Sequence, residues 1–412
     1  MSIQQRTGDG EVSDVAVAAT AIVPGNGVDL SVMAEAPGNA PGAVRPYVSL
    51  ERNSRLGAAL PAATWKIRWK APLRERNIPR HVLQSGDRIV VQAPVWQLFD
   101  DAGKAIWAQS AGGSPLEVDA EHGVIHFIDQ NGYLMANGLK DGKEIYSVLP
   151  IFGDEYLRPY ISRRGNRVTL AGSERQLDPH GHNKASRSLV ELIDLGESDE
   201  LTSTGVRLGA TNVSTLFFPT TTLVAAAHGE SLLVAIPDHL YMISPDLKIV
   251  SAFDGAFMPI VMSIDEGGRA YLVAATPKGK QLLVITPDGK LLREIDLPAD
   301  LARVVTPPVI GLDHRVYLVT DERIHAFSEK GEALWESRPG VRPGGVTVTA
   351  DNRVLVSAGS DLCIYDSAGH CTLLQRFEGE NLSTPAVIST NGNLLVATEG
   401  NLYALEEGKG EE

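Results

Sequence analysis

A short pattern returns about every forty residues along this chain, and few folds tolerate such a period. Its clearest copy starts at Thr306-Pro-Pro-Val309. It continues through Arg315-Val-Tyr-Leu-Val319, Arg323-Ile-His-Ala-Phe327 and Gly331-Glu-Ala-Leu-Trp335. Each copy reads as four short strands, the unit of a WD40-like β-propeller blade. Aligned on the second strand, the copies start at Ile89, Val124, Val168, Leu232, Ala270, Val316, Val354 and Leu394. A proline precedes most of these points: Pro79, Pro115, Pro159, Pro259, Pro308 and Pro385. At the first residue of an inner strand its missing N–H is tolerated. Polar turns with glycine, such as Asp100-Asp-Ala-Gly103, Lys140-Asp-Gly142 and Ser367-Ala-Gly369, then lead into the fourth strand. Trp107, Tyr146 and Trp335 stand four residues beyond such glycines and are expected to wedge between blades.

The two ends of the repeat complement each other. The last copy, from Ser383 to Leu405, has three strands. Ahead of the first copy, Ala63 to Ala71 is one lone strand, with Trp65, Ile67 and Trp69 alternating against Lys66 and Arg68. Three plus one completes a final blade and removes an exposed edge. The expected fold class is therefore all-β: an eight-bladed β-propeller, with seven as fallback if residues 170–230 are miscounted. Residues 61–407 form the propeller, closed by strand 63–71, and 408–412 are a polar tail. Residues 1–60, rich in Ala, Gly, Asn and Pro, read as a disordered or extended N-terminal arm able to bind a partner.

The formal net charge is −14, which argues against nucleic acid or an anionic membrane surface as partner. No apolar stretch is long enough for a membrane span, so a soluble protein is expected. The apolar run Val15–Val23 follows acidic residues rather than basic ones, unlike a signal peptide. The reading is cytoplasmic, with a periplasmic or exported protein as the alternative if a signal was removed. The only cysteines, Cys363 and Cys371, flank one hairpin turn. They are either two reduced thiols or a cross-strand disulfide, and strand register decides between them.

The strand Arg315–Val319, the Ala326-Phe327 pair, Gly331–Trp335 and Ser383–Ile388 with Asn393–Ala397 and Asn401–Leu405 resemble the PQQ-like (quinoprotein-like) propeller repeat. The resemblance covers residues 64–406. It implies the propeller and leaves activity open, because the superfamily holds PQQ-dependent alcohol dehydrogenases and non-catalytic outer-membrane assembly scaffolds. The dehydrogenases carry a vicinal cysteine pair beneath the cofactor, whereas the two cysteines here are separated. The resemblance is thus to a non-enzymatic member. No cofactor is expected, and PQQ with calcium is disfavoured.

In a propeller, the fourth-to-first and second-to-third strand loops share one face, where ligands bind. The copy around Val168 reads as carrying two insertions on that face, Glu174–Ala185 and Thr202–Thr221. The second contributes Asn212, Phe217 and Phe218. Beside the strand-starting prolines, Arg80, Asp154, Arg158, Thr306 and Thr384 are expected to ring the mouth. Arg80 and Arg158 are suited to clamping a carboxylate or phosphate, or to pairing with Asp154 and Glu155. Asp178, His180 and His182 have the short spacing of a metal site, although a solvated polar loop is the favoured reading of them. The chain has no Gly-x-Ser-x-Gly elbow, P-loop or His-Glu-x-x-His motif. The expected function is a non-catalytic protein–protein interaction platform, or a subunit of a larger complex, binding through the propeller face and the arm. The alternative is an enzyme or small-ligand binder using the mouth, with a PQQ-dependent oxidoreductase third.

Overall fold

The computed structural model describes residues 14–21, 64–74, 79, 81–93, 95–110, 114–119, 123–129, 133–148, 160–164, 167–177, 183–194, 200–211, 224–228, 231–298, 301, 304, 306–382, 384–389 and 391–408. Among these residues every helix or strand element is a strand, and the strands form eight antiparallel sheets. The expected all-β propeller is what the chain forms. In chain order the sheets are blade 1 (residues 81–110), blade 2 (114–148), blade 3 (160–211), blade 4 (224–254), blade 5 (258–296), blade 6 (309–337) and blade 7 (343–376). Blade 8 joins Val387–Ile388, Leu394–Ala397 and Asn401–Glu407 to Trp65–Pro72 from the other end of the chain.

The first strands of blades 1 to 7 touch in succession, and that of blade 8 touches blade 1. Between blades 7 and 8 the buried Thr347 hydroxyl donates to the Ala386 carbonyl at 3.0 Å. The circuit of inner strands is therefore closed. Its blades meet through apolar faces. Trp96 of blade 1 packs on Phe127 of blade 2 with ring centroids 4.9 Å apart, and both are buried. Burying each large apolar side chain contributes roughly 1.5–3 kcal/mol.

Closure rests on the pairing of Trp65–Pro72 with Asn401–Glu407, which runs from Trp65 opposite Glu407 to Pro72 opposite Asn401. A bulge between Ile67 and Trp69 breaks the alternation expected of this strand; ahead of it Trp65 is buried and Ile67 is exposed. Glu380, from the loop between blades 7 and 8, locks the seam. Its carboxylate accepts hydrogen bonds from Lys70 Nζ at 3.0 Å, Tyr403 Oη at 2.7 Å, Asn401 Nδ2 at 2.8 and 2.9 Å, and the Thr398 hydroxyl. Burial by itself would raise the Glu380 pKa, but the donors Thr398, Asn401, Tyr403 and Lys70 outweigh it and lower the value to about 2.

A second device repeats around the ring. The glycine between third and fourth strands has positive φ, as at Gly103 (80°), Gly142 (72°) and Gly369 (84°). The fourth strand of the preceding blade presses against the same atom. A Cβ on Gly369 would lie 2.7 Å from Trp335 Cγ, and one on Gly103 would lie 2.6 Å from Trp69 Cε3. The indoles also reach the next blade by hydrogen bonds: Trp69 Nε1 to the Asp101 carbonyl at 3.1 Å and Trp107 Nε1 to the Leu139 carbonyl at 2.9 Å. Glycine is required there by conformation and by close approach.

Blade 3 departs from the expected insertions. Its second, third and fourth strands, Arg167–Leu177, Asn183–Asp194 and Glu200–Thr211, are long and paired along their length. All of the described residues within the spans read as loop, 174–185 and 202–221, are therefore strand. Their polar side chains carry no hydrophobic alternation to mark them. Within the span read as an arm, Asp14–Ala21 pairs antiparallel with Glu200–Thr211 as a fifth strand of this sheet. The rest of residues 1–60 lies outside the described residues.

Two outcomes test this account. Glu380→Gln should lower stability by about 2 kcal/mol at pH 7, as expected for lost bonds to a charged acceptor. A carboxylate held below its ordinary value of 4.5 stabilises above that pH and loses its contribution as the pH falls toward about 2. Urea titrations across that window should therefore show wild type and variant converging. Gly369→Ala should cost about 3 kcal/mol, from positive φ plus the Trp335 overlap. Gly392→Ala, at φ 79° with nothing within 4 Å, should cost only about 1 kcal/mol. Equal losses in thermal denaturation would remove the wedge from the explanation.

Candidate functional site

In each four-stranded meander, the fourth-to-first and second-to-third connections lie on one face, here the front. The remaining turns lie on the back. Of the residues expected to ring the front mouth, Arg80, Asp154, Arg158, Asn212, Phe217 and Phe218 fall outside the described residues. So do the candidate metal ligands Asp178, His180 and His182. Among the described residues, no group of three or more His, Cys, Asp or Glu is placed to hold a metal ion.

Thr306 and Thr384 are described, and neither lines open surface. Both are buried, and among the described residues their hydroxyls have no hydrogen-bond partner. The reason is local. Val304 bridges Thr320 and Leu382 bridges Thr398, so pairing with the second strand begins before each inner strand's expected start. The two threonines therefore sit between ladder contacts instead of in the preceding loop. Buried hydroxyls in this setting are suited to holding ordered water.

An open site lies at the seam of blades 4 and 5. A groove of about 400 Å³ is bounded by Phe253, Gly255 and Phe257 on one side and by Thr276, Pro277, Leu283 and Leu291 on the other. Phe253 and Phe257 stack with centroids 5.9 Å apart and planes 17° from parallel. The Phe257 ring is buried in the seam, while Leu291 is 41% exposed. Charge borders this apolar surface: Asp254, Lys278 and Glu294. Lys278 Nζ lies 2.7 Å from Glu294 Oε1. The hydrogen bonds from Lys278 and then Gln281 hold the Glu294 carboxyl below its ordinary value.

Buried Gln281 fixes that border. It accepts from the Thr276 hydroxyl at 2.7 Å and donates through Nε2 to Glu294 and Asp296, each at 2.7 Å. Leu291–Asp296 is the outermost strand of blade 5, so one wall of the groove is a sheet edge. Beside it Leu292 and, on the outer strand of blade 4, Val250 are exposed. The arrangement has the elements of a recognition surface: an aromatic floor, fixed polar groups and a strand edge. Sequence reasoning missed it because its residues come from ordinary strand and turn positions of two blades.

The back face carries a denser polar cluster between blades 5 and 6. Buried Asp265 accepts from Arg269 Nε at 2.7 Å, from the Gly267 and Arg269 amides at 2.9 Å each, and from the Tyr271 hydroxyl at 3.2 Å. Arg269 Nη2 lies 2.7 Å from the His314 ring nitrogens, and Nη1 lies 3.5 Å from Glu329. Burial, with Asp265 next, raises the Tyr271 hydroxyl above its ordinary value. Arg269 is thus held by blade 5 and two turns of blade 6. We read this as an inter-blade clamp, since its groups spend their contacts on one another.

Cys363 and Cys371 lie on the third and fourth strands of blade 7. The disulfide weighed from sequence is not formed here, and both thiols are free. A vicinal pair of the quinoprotein kind is absent from the sequence, so the cysteines do not fit a PQQ site of that type.

The comparisons with known proteins agree with this architecture. Residues 320–412 match the family model described as outer membrane protein assembly factor BamB. Among curated proteins there is no match. Among solved structures, BamB from Moraxella catarrhalis is similar at 13% identity and TM-score 0.56, over 85% of this chain and 99% of that one. Quinohemoprotein alcohol dehydrogenase from Comamonas testosteroni is similar at 12% identity and TM-score 0.58, over 93% of this chain and 85% of that one. A europium-containing methanol dehydrogenase is similar at 11% identity and TM-score 0.54, over 92% and 99%. At such identities the likeness is one of fold, and it spans an assembly factor and dehydrogenases alike. By its repeat, its closed ring of four-stranded sheets and these likenesses, the chain folds as a β-propeller, and its residues 320–412 are similar to the BamB family model.

Proposed function

We propose that this protein is a non-catalytic interaction platform that holds an extended segment of a protein partner at the seam of blades 4 and 5. The observation that carries the reading is the groove itself, with stacked Phe253 and Phe257 beside the outer strand Leu291–Asp296. An added strand would satisfy the backbone edge, and its side chains would enter the apolar groove. Buried Thr306 and Thr384 weigh against an open mouth at blades 6 and 8. The match of residues 320–412 to an outer membrane protein assembly factor supports a scaffold role. It also favours the exported or periplasmic alternative over the cytoplasmic reading. No helix among the described residues is long and apolar enough to cross a membrane. The chain's net charge of −14 favours a basic partner surface and an association that weakens with salt.

The direct test is affinity purification of the full chain from its own cells after in vivo cross-linking, compared with Phe253→Ser and Leu291→Ser. A partner recovered in proportion with wild type should fall at least tenfold with either variant, as for loss of an interface hot spot. Both variants should keep the wild-type thermal midpoint within a few degrees, since both positions are partly exposed. Undiminished recovery with both variants would move the binding surface elsewhere. Recovery of the chain alone would count against the platform.

A further inference from the structure

We propose that Cys363 and Cys371 are a redox-sensitive modification site that a hydroperoxide converts into an intramolecular disulfide across the outer hairpin of blade 7. The register places them for it. Tyr365 pairs with Cys371 and Cys363 pairs with Leu373, so the two cysteines project from the same face of adjacent strands, diagonally related. Their thiols are within hydrogen-bonding reach of each other, and Cys371 also contacts the Tyr365 hydroxyl.

The two sulfurs differ in a way that sets the order of events. Cys371 is exposed, whereas Cys363 is half-buried against the cluster that contains Val356, Tyr365 and Trp335. Burial pushes the Cys363 thiol up to about 12, so it is a poor first nucleophile at neutral pH. The Cys371 thiolate therefore attacks the peroxide O–O bond. Cys371 becomes a sulfenic acid, and the peroxide leaves as water after taking up the thiol proton. Cys363 sulfur then attacks the Cys371 sulfur. The S–S bond forms, the S–O bond breaks, and the hydroxyl leaves as a second water with the Cys363 proton. Two thiols lose two electrons and one peroxide gains two, so the step balances. This inference does not depend on the interaction-platform reading.

The test uses the reduced full-length chain, treated with hydrogen peroxide, then denatured and alkylated. The expected result is a fall from two alkylated cysteines to none, with a monomeric mass lower by two hydrogens, reversed by dithiothreitol. Cys363→Ser should stop at the Cys371 sulfenic acid, trapped as a dimedone adduct, and Cys371→Ser should keep its Cys363 thiol. The proposal fails if wild type keeps both alkylatable thiols. It also fails if the disulfide forms only between chains, or if Cys371 proceeds to sulfinic acid while Cys363 stays reduced.

Discussion

Everything in this molecule depends on one antiparallel pairing, that of Trp65–Pro72 with Asn401–Glu407. A ring of sheets has no natural end. If the last blade lacked its outer strand, blade 8 would present a three-stranded edge. Taking the missing strand from the opposite end of the chain makes closure a long-range event, costly in loop entropy. Glu380 offsets part of that cost with donors from both partners of the seam: Lys70 from the incoming strand, Asn401 and Tyr403 from the receiving one. Of these donors Lys70 alone arrives with the incoming strand, so its bond to the carboxylate forms only when the ring is shut.

The Gly–indole contacts do for the angle between blades what the seam does for closure. A turn glycine at positive φ meets the fourth strand of the blade before it, as with Gly103 and Trp69 or Gly369 and Trp335. Their repetition fixes how far each sheet is rotated from its neighbour. The seam of blades 4 and 5 uses smaller partners: a Cβ on Gly289 would meet the Ala252 backbone at 2.7 Å. That seam is also where the groove opens beside Phe253 and Phe257.

The ring was legible because its signals are local and repeated. Prolines before inner strands, glycines in outer turns and blocks such as Val316–Val319 carry it, and the lone Trp65–Trp69 segment reads as a strand without help. What was not legible depends on registry or on neighbours. The bulge between Ile67 and Trp69 leaves no mark in an alternating sequence. The isolated bridges that bury Thr306 and Thr384 are formed by residues with no pattern of their own. Blade 3 was legible at Val168, but the length of its outer strands was not, because polar strands look like loops; Asp14–Ala21 was hidden because a run of Ala and Val lacks period-two contrast. Glu380 belongs to no motif; its role exists only once two chain ends meet. The groove combines ordinary strand and turn residues of two blades, and sequence spacing cannot tell which of those face a common space.

The same closing pair decides where the chain leaves the ring. Trp65 lies opposite Glu407, and the Gly408 amide donates to the Thr64 carbonyl at 2.6 Å. The backbone therefore enters and exits blade 8 side by side, at the back-facing corner of its rim. A tether attached after Gly408 and one arriving before Thr64 would pull neighbouring strands of a single blade apart from one end, unzipping the ladder that closes the circle. Blades 4 and 5, far from blade 8 around the ring, would be left outside the path of that force.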